Sequence, residues 1–432
     1  MKPGMTASGL TLALACLIAL GPPEGPAPAP DDHELHDSAR RRLSFDESIG
    51  ASEAAPIVVG FAEAAQDKRE RDDAIPRLSQ NPQVQLMPGA RVNAGADNGF
   101  ELQATITQGW SLERYGKARR AAARAETEVL DADARARALE QRFGAADAWI
   151  RLHGAELRLA LARQDLAVAE QLVDSLELAR EAGVATRLDV AEAEALAAAA
   201  ESAVVELAGE VHDLGLALAR ETGVTSSSPL GTRGVYPNPE LPDEAELRRS
   251  FAELDRLPAV QRRRLEARAA LAEARELERS NGTVLSTGAS VQLESTEELL
   301  VFGVVGATIG AIDRNQRGRA SAHAQARRAE AEADQLTVEL AATLAIALHE
   351  LRHTRERVEL LHDRTLPALD ELIAARTAAL ELGEGTRAQL LVVQHRRNLA
   401  ARELLAAEAD HAWARVQIWL YLEALDAEAE AG

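Results

Sequence analysis

The sequence predicts a mainly α-helical chain with a small β part, and three observations predict it. Long stretches of the 432 residues are dominated by Ala, Glu, Leu and Arg, and only 3% are aromatic. Bulky aromatics usually anchor compact cores, so the composition speaks against a large globular enzyme and for long helices packed side by side. Two stretches of strict apolar/polar alternation interrupt the helical pattern. Finally, the whole programme occurs twice. Glu181-Ala-Gly183-Val-Ala-Thr186-Arg187 returns as Glu381-Leu-Gly383-Glu-Gly-Thr386-Arg387, 383 − 183 = 200 residues later. A fixed period of this kind marks a duplicated structural unit.

Charge and cysteine usage narrow the function classes. With 48 Lys and Arg against 69 Asp and Glu, the net charge is −21. That balance repels phosphate backbones and gives no basis for nucleic-acid binding. The single cysteine, Cys16, excludes an internal disulfide and any cysteine-built zinc site. Lys2 precedes an apolar run from Leu10 to Leu20 that Gly21-Pro22-Pro23 ends. Too short to span a bilayer, it fits a secretory signal, with Ala27-Pro28-Ala29 offering small residues for cleavage. Residues 1–30 are assigned to this signal and its processing, so the mature protein is expected to be exported. Cys16 is a candidate lipidation site. No other run of 18 apolar residues occurs, so no helical membrane span is expected.

Each element follows in order. Residues 31–43 read as a disordered linker. Ser44, with Glu47 three residues on, opens a helix as a capping box. That helix extends to about Ala74, is interrupted near Pro56 and Gly60, and is stopped by Pro76. A β-hairpin is expected over 90–109. Val92, Ala94 and Ala96 alternate with polar residues, Asp97-Asn98-Gly99 turns, and Phe100, Leu102, Ala104 and Ile106 return, with Trp110 at the end. An unbroken helical pattern over 111–182 would stretch about 108 Å. Gly183 to Thr186 breaks it, and a return helix spans 186–222. A Ser/Gly/Pro-rich connector, 223–243, leads to a helical segment Glu244 to Ser280 with a break at Pro258. A second hairpin follows over 283–309. Its strand Leu299 to Ile309 is apolar on both faces and carries Gly303 and Gly306, with Gly310 just after it, so alternation leaves its register open. A second long helix is expected over 314–382 with a kink at Pro367, then a return helix over 386–425 and a tail, 426–432. The two repeats are therefore 44–222 and 244–425.

Four amphipathic strands cannot close a membrane barrel, since the smallest have eight. Three chains would supply 3 × 4 = 12, with the long helices of each chain continuing as a shared coiled-coil cylinder. That architecture, with these residues, resembles the TolC-type outer-membrane efflux protein family over about residues 44–425. The opening helix motif Leu43-Ser44-Phe45-Asp46-Glu47-Ser48-Ile49, Asn81-Pro82 before the first hairpin, and the strand exit Thr107-Gln108-Gly109-Trp110-Ser111-Leu112-Glu113 carry the likeness. Asp313-Arg314-Asn315-Gln316-Arg317-Gly318 is similar to the exit of the second hairpin in members serving heavy-metal efflux pumps of the RND type. The resemblance implies a homotrimeric, non-enzymatic conduit in the outer membrane, without cofactor, that docks a periplasmic adaptor and an inner-membrane pump. It places the periplasmic entrance and adaptor contacts at the helix-turn-helix tips. Here those are Gly183, Thr186, Arg187 and Asp189, and Gly383, Thr386, Arg387 and Gln389. Gly supplies positive φ at such turns and Thr caps the returning helix.

Two other classes fit parts of the sequence. A periplasmic coiled-coil adaptor or scaffold would use the long helices but not the alternating hairpins. His349-Glu350-Leu351-Arg352-His353 matches the H-E-x-x-H pattern of zinc-dependent hydrolases. That motif lies midway along a helix, however, and is followed by the charged face Thr354-Arg355-Glu356-Arg357. A plain helix surface accounts for it.

Overall fold

Capping and proline placement set most helix ends. The Ser44 hydroxyl accepts from the Glu47 amide at 3.2 Å, and Glu47 accepts from the Ser44 amide at 2.8 Å, so α1 (Phe45–Glu53) starts on a reciprocal capping box. Pro56 opens α2 (Pro56–Asp73), where its missing N–H removes no bond. Gly60, expected as a break, lies inside α2. The computed structural model describes residues 40–75, 81–91, 99–226, 228–294, 298–310 and 312–431. The signal region, Cys16, Pro76 and the alternating residues 92–96 lie outside the described residues. All elements below belong to the compact unit Arg42–Gly432.

Four helices dominate. They are α3 (Tyr115–Glu181), α4 (Arg187–Thr222), α7 (Gln316–Leu360, continued by α8, Leu366–Glu381) and α9 (Arg387–Ala431). Between them, α5 (Glu244–Ser250), a 3-10 turn and α6 (Pro258–Ser280) lead into the second hairpin. Helix α3 begins at Tyr115 rather than at 111, because the preceding strand runs through Ser111 and Arg114 takes φ 57°. Asn315 takes φ 58° at the equivalent exit, so α7 starts at Gln316 rather than 314. Asn visits this left-handed region readily, whereas Arg there is uncommon. The second long helix is not continuous to 382: a π turn, Leu361–Thr365, separates α7 from α8. Helix α9 runs past 425, so most of the expected tail is helical. Alanines line the buried stripes, including Ala132, Ala136, Ala145 and Ala162 on α3 and Ala322, Ala326 and Ala333 on α7. Small side chains there let neighbouring helices approach closely.

Four strands form an antiparallel sheet in the order β2 (Gln83–Arg91), β3 (Gly99–Ser111), β5 (Val284–Leu293) and β6 (Leu299–Thr308). Strand β2 begins before the expected 90 and carries Pro88, which an edge strand tolerates. The register places Val84 opposite Ile106, Ala104 opposite Val291, and Val291 opposite Val301. One face is therefore apolar and exposed from edge to edge, with Val84, Leu86, Phe100, Ile106, Val301 and Val305 on it. At its helix end Trp110 Nε1 donates to Thr287 Oγ1 at 3.2 Å. The other face is polar in the middle, where Gln103 donates to Ser290 at 2.9 Å and Thr105 shares a 2.8 Å hydrogen bond with it. Strand β6 departs, placing Leu300, Phe302 and Val304 on that polar face. No helix among the described residues is long and apolar enough to cross a membrane.

Halfway down the helices a core gathers around Trp149, which is fully buried with Ile150, Leu152, Leu218, Val416 and Leu420. The two-residue strands β1 (Arg42–Leu43) and β4 (Gly231–Thr232) pair in parallel over it, so the linker and the connector each contain a strand that sequence reading missed. Trp149 Nε1 donates to the Leu43 carbonyl at 2.8 Å, and His153 Nδ1 bonds Thr232 Oγ1 at 2.9 Å. Burial holds the His153 imidazole down at a pKa of about 4. Gly215 is required here, since a Cβ would stand 2.6 Å from the Leu230 carbonyl oxygen.

Candidate functional site

The two tips share one backbone plan. Gly183 takes φ 74°, its amide bonds to Arg180 O at 2.9 Å, and the Val184 amide bonds to Ala179 O at 2.8 Å. Gly383 takes φ 76°, with Gly383 N to Leu380 O at 3.0 Å and Glu384 N to Ala379 O at 2.8 Å. Both are Schellman closures, whose left-handed position glycine takes at no steric cost. Thr186 and Thr386 then cap α4 and α9, accepting from the amides of Asp189 at 3.2 Å and Gln389 at 3.3 Å.

Chemically the tips differ. The Asp189 carboxylate accepts from both the amide and the hydroxyl of Thr186 at 2.7 Å. These two donors hold its pKa below the usual carboxylate value, so the first tip carries a fixed negative charge. Gln389 takes the same place in the second tip with a longer, neutral contact, 3.4 Å to the Thr386 amide, and also accepts from Arg376 at 3.1 Å. Arg387 reaches across to Gln171 on α3 at 3.3 Å. Arg187 is exposed and has no side-chain partner among the described residues. Val184, at 78% exposure, Leu188 and Leu382 point outward.

Between the two hairpins lies an open groove of about 380 Å³ that brings Asp189 and Gln389 onto one rim. Its floor is Leu172, Leu176, Leu196 and Val392, and Arg376 and Arg396 join the rim. Sequence reading missed these arginines and the floor. The available signal was the apolar spacing of Leu172 with Leu176 and of Ala388 with Val392, which puts each pair on one helix face. His349 and His353 stack with rings 6.3 Å apart on an exposed stretch of α7. Among the described residues no group of three or more metal-capable side chains converges.

Solved structures of similar fold include TolC-family outer-membrane channels. Three solved structures illustrate the likeness. A membrane protein from Pseudomonas aeruginosa matches with a TM-score of 0.71 at 18% identity, covering 94% of this chain and 96% of that one. CusC matches with a TM-score of 0.71 at 14% identity over 93% and 99% of the two chains. The outer-membrane channel OprN matches with a TM-score of 0.69 at 19% identity over 93% and 98%. At such identities the likeness is one of fold. No family model and no curated protein sequence matches the chain.

Proposed function

We propose that the protein is the outer-membrane duct of a tripartite efflux system, working as a homotrimer and conducting its cargo passively. The sheet carries this reading. It has four strands, an exposed apolar face, and two edges, β2 and β6, without a strand partner among the described residues. An unsatisfied backbone group in lipid costs several kcal/mol, so such a sheet must close on other copies. Joining β6 of one chain to β2 of the next in three copies makes 3 × 4 = 12 strands and leaves no edge. The apolar face then meets outer-membrane lipid, and the long helices extend into the periplasm as a common cylinder.

The tips are the end at which a periplasmic adaptor docks, with an inner-membrane pump of the RND type supplying the energy. Gly183, Thr186, Gly383 and Thr386 shape them, and Arg187, Asp189, Arg387 and Gln389 present the contacts. Opening comes from small relative shifts of helices near Asp189 and Arg187. The likeness of Asp313 to Gly318 to metal-efflux members, with the net charge of −21, favours a cation as cargo, selected by the pump. Single-channel recording on the reconstituted protein tests the duct. Wild type should conduct, and Asp189→Ala and Arg187→Ala should change conductance or gating. An inert bilayer, or both variants indistinguishable from wild type, would count against the duct and against the gate respectively.

A further inference from the structure

The two strand exits repeat one pattern of charge. At the helix end of the sheet a single row of the ladder joins Ser111, Val284 and Thr308. The chain therefore leaves β3 and β6 at one level, two strands or about 10 Å apart. At the 200-residue offset of the tips, Leu112 coincides with Ile312, Arg114 with Arg314 and Lys117 with Arg317. Burial keeps the same offset, with Ala122 and Ala322 both facing inward. By alternation Trp110 lies on the apolar face of Ile106. Leu112, Ile309 and Ile312 stand exposed just beyond the strands, the last at 93%.

The exits invert the charge of the chain. Its net charge is −21, yet residues 112–120 carry four cations against one acid and 312–320 three against one. Both acids turn to the backbone: Glu113 accepts from the Thr283 amide at 3.5 Å and Asp313 from the Asn315 amide at 2.8 Å. Arg319 pairs with Glu278 at 3.3 Å, and Arg314 donates to the Gly310 carbonyl at 3.2 Å. Arg114, Lys117 and Arg317 are exposed and have no acidic partner among the described residues. Further along the helices exposed arginines do pair locally, Arg151 with Asp147 at 2.7 Å and Arg355 with Glu359 at 2.8 Å. Uncompensated cations beside an exposed apolar rim fit a partner that is anionic at one end and apolar at the other.

We infer that the two exits form a cationic collar that binds the headgroup phosphates of anionic phospholipids in the membrane leaflet facing the periplasm. The collar rests on the part of the duct reading that puts the sheet in the outer membrane. In that setting Leu112, Ile309 and Ile312 enter the acyl boundary, while Lys117 and Arg317 reach the phosphates on flexible apolar stems. The guanidinium groups of Arg114 and Arg314 stand beside them and match phosphate in two-pronged fashion. Three joined chains repeat the exit 3 × 2 = 6 times around the sheet.

Native mass spectrometry of the full-length, detergent-solubilised protein tests it, with phosphatidylglycerol, phosphatidylethanolamine or inorganic phosphate added. Wild type should retain phosphatidylglycerol in preference to the other two. Lys117→Gln with Arg317→Gln should weaken that binding about twentyfold, roughly fivefold per cation. Arg163→Gln with Arg357→Gln removes the same charge from exposed helix surface far from the sheet and should leave it unchanged. Equal retention of both lipids, equal losses in the two double variants, or binding of phosphate alone to the same extent would overturn the collar. If the Lys117 and Arg317 pair fails to fold, Arg114→Gln decides: undiminished retention of phosphatidylglycerol overturns the proposal. A protein that conducts in bilayers yet shows no lipid preference loses the collar and keeps the duct. One that prefers phosphatidylglycerol and leaves bilayers inert keeps the collar and loses the duct.

Discussion

The two hairpins grow from one repeated pattern yet differ in regularity. In the first, α3 runs unbroken through 67 residues and carries the Trp149 core, and the returning α4 starts on a charge-assisted cap. In the second, the corresponding helix breaks at a π turn and its tip closes on a neutral, longer cap. The comparison teaches how a duplicated unit diverges at single positions. Both halves keep the Gly-Thr turn that any such tip needs, while one proline and the exchange of Asp for Gln set the second half apart.

The largest effects should separate the Trp149 core from the π turn. Trp149→Ala should cost about 3–5 kcal/mol, and Leu366→Ala at the π turn only about 2 kcal/mol, because the latter site already accommodates an irregular helix. Thermal denaturation of the two variants measures the gap; equal losses would erase the distinction. Acid probes the same core. His153 titrates at about 4 in the folded chain, below the unfolded value of about 6.5. Its contribution is complete above pH 6.5, declines by up to about 3 kcal/mol as pH falls toward 4, and changes no further below. His153→Gln should flatten that decline in a stability-versus-pH series.

Smaller effects concern the tips. Thr186→Ala should destabilise its tip by about 1 kcal/mol, and Thr386→Ala by less, since the latter loses longer and uncharged contacts. Local hydrogen exchange at α4 and α9 reads this directly. The Asp189 carboxyl is held low by the Thr186 donors, so its cap is intact above the ordinary carboxylate range and is lost as pH falls through the lowered value. The Gln389 cap has no such dependence. Smallest of all, Asp189→Asn should reduce cation preference in bilayer recordings, and Gln389→Glu should raise it.

Much of this architecture was legible because it rests on local chemistry. Helical periodicity without proline marked α3, and Gly183 with Thr186 marked a turn whatever lay around it. Other features depend on partners distant in sequence. Asp165 meets its donors on α9 some 230 positions on, and nothing in either helix distinguishes those residues from solvated charges. Strands β1 and β4 are two residues each, too short for any period. Arg114 adopts its left-handed conformation because a strand must turn into a helix there, a demand its residue type does not announce. Pro367 signalled a kink, but not that it would take the form of a π turn over Leu361–Thr365. The register of β6 came from its pairing with β5, since its own apolar pattern has no preferred face.

The central claim is that three copies join their sheet edges within the outer membrane. Chemical crosslinking of the isolated outer-membrane fraction, resolved without heating, tests it most directly. The account predicts bands at one, two and three chain masses and none above, with the trimer collapsing on heating. Recovery of the protein as a soluble monomer, with no crosslinked species, would contradict it.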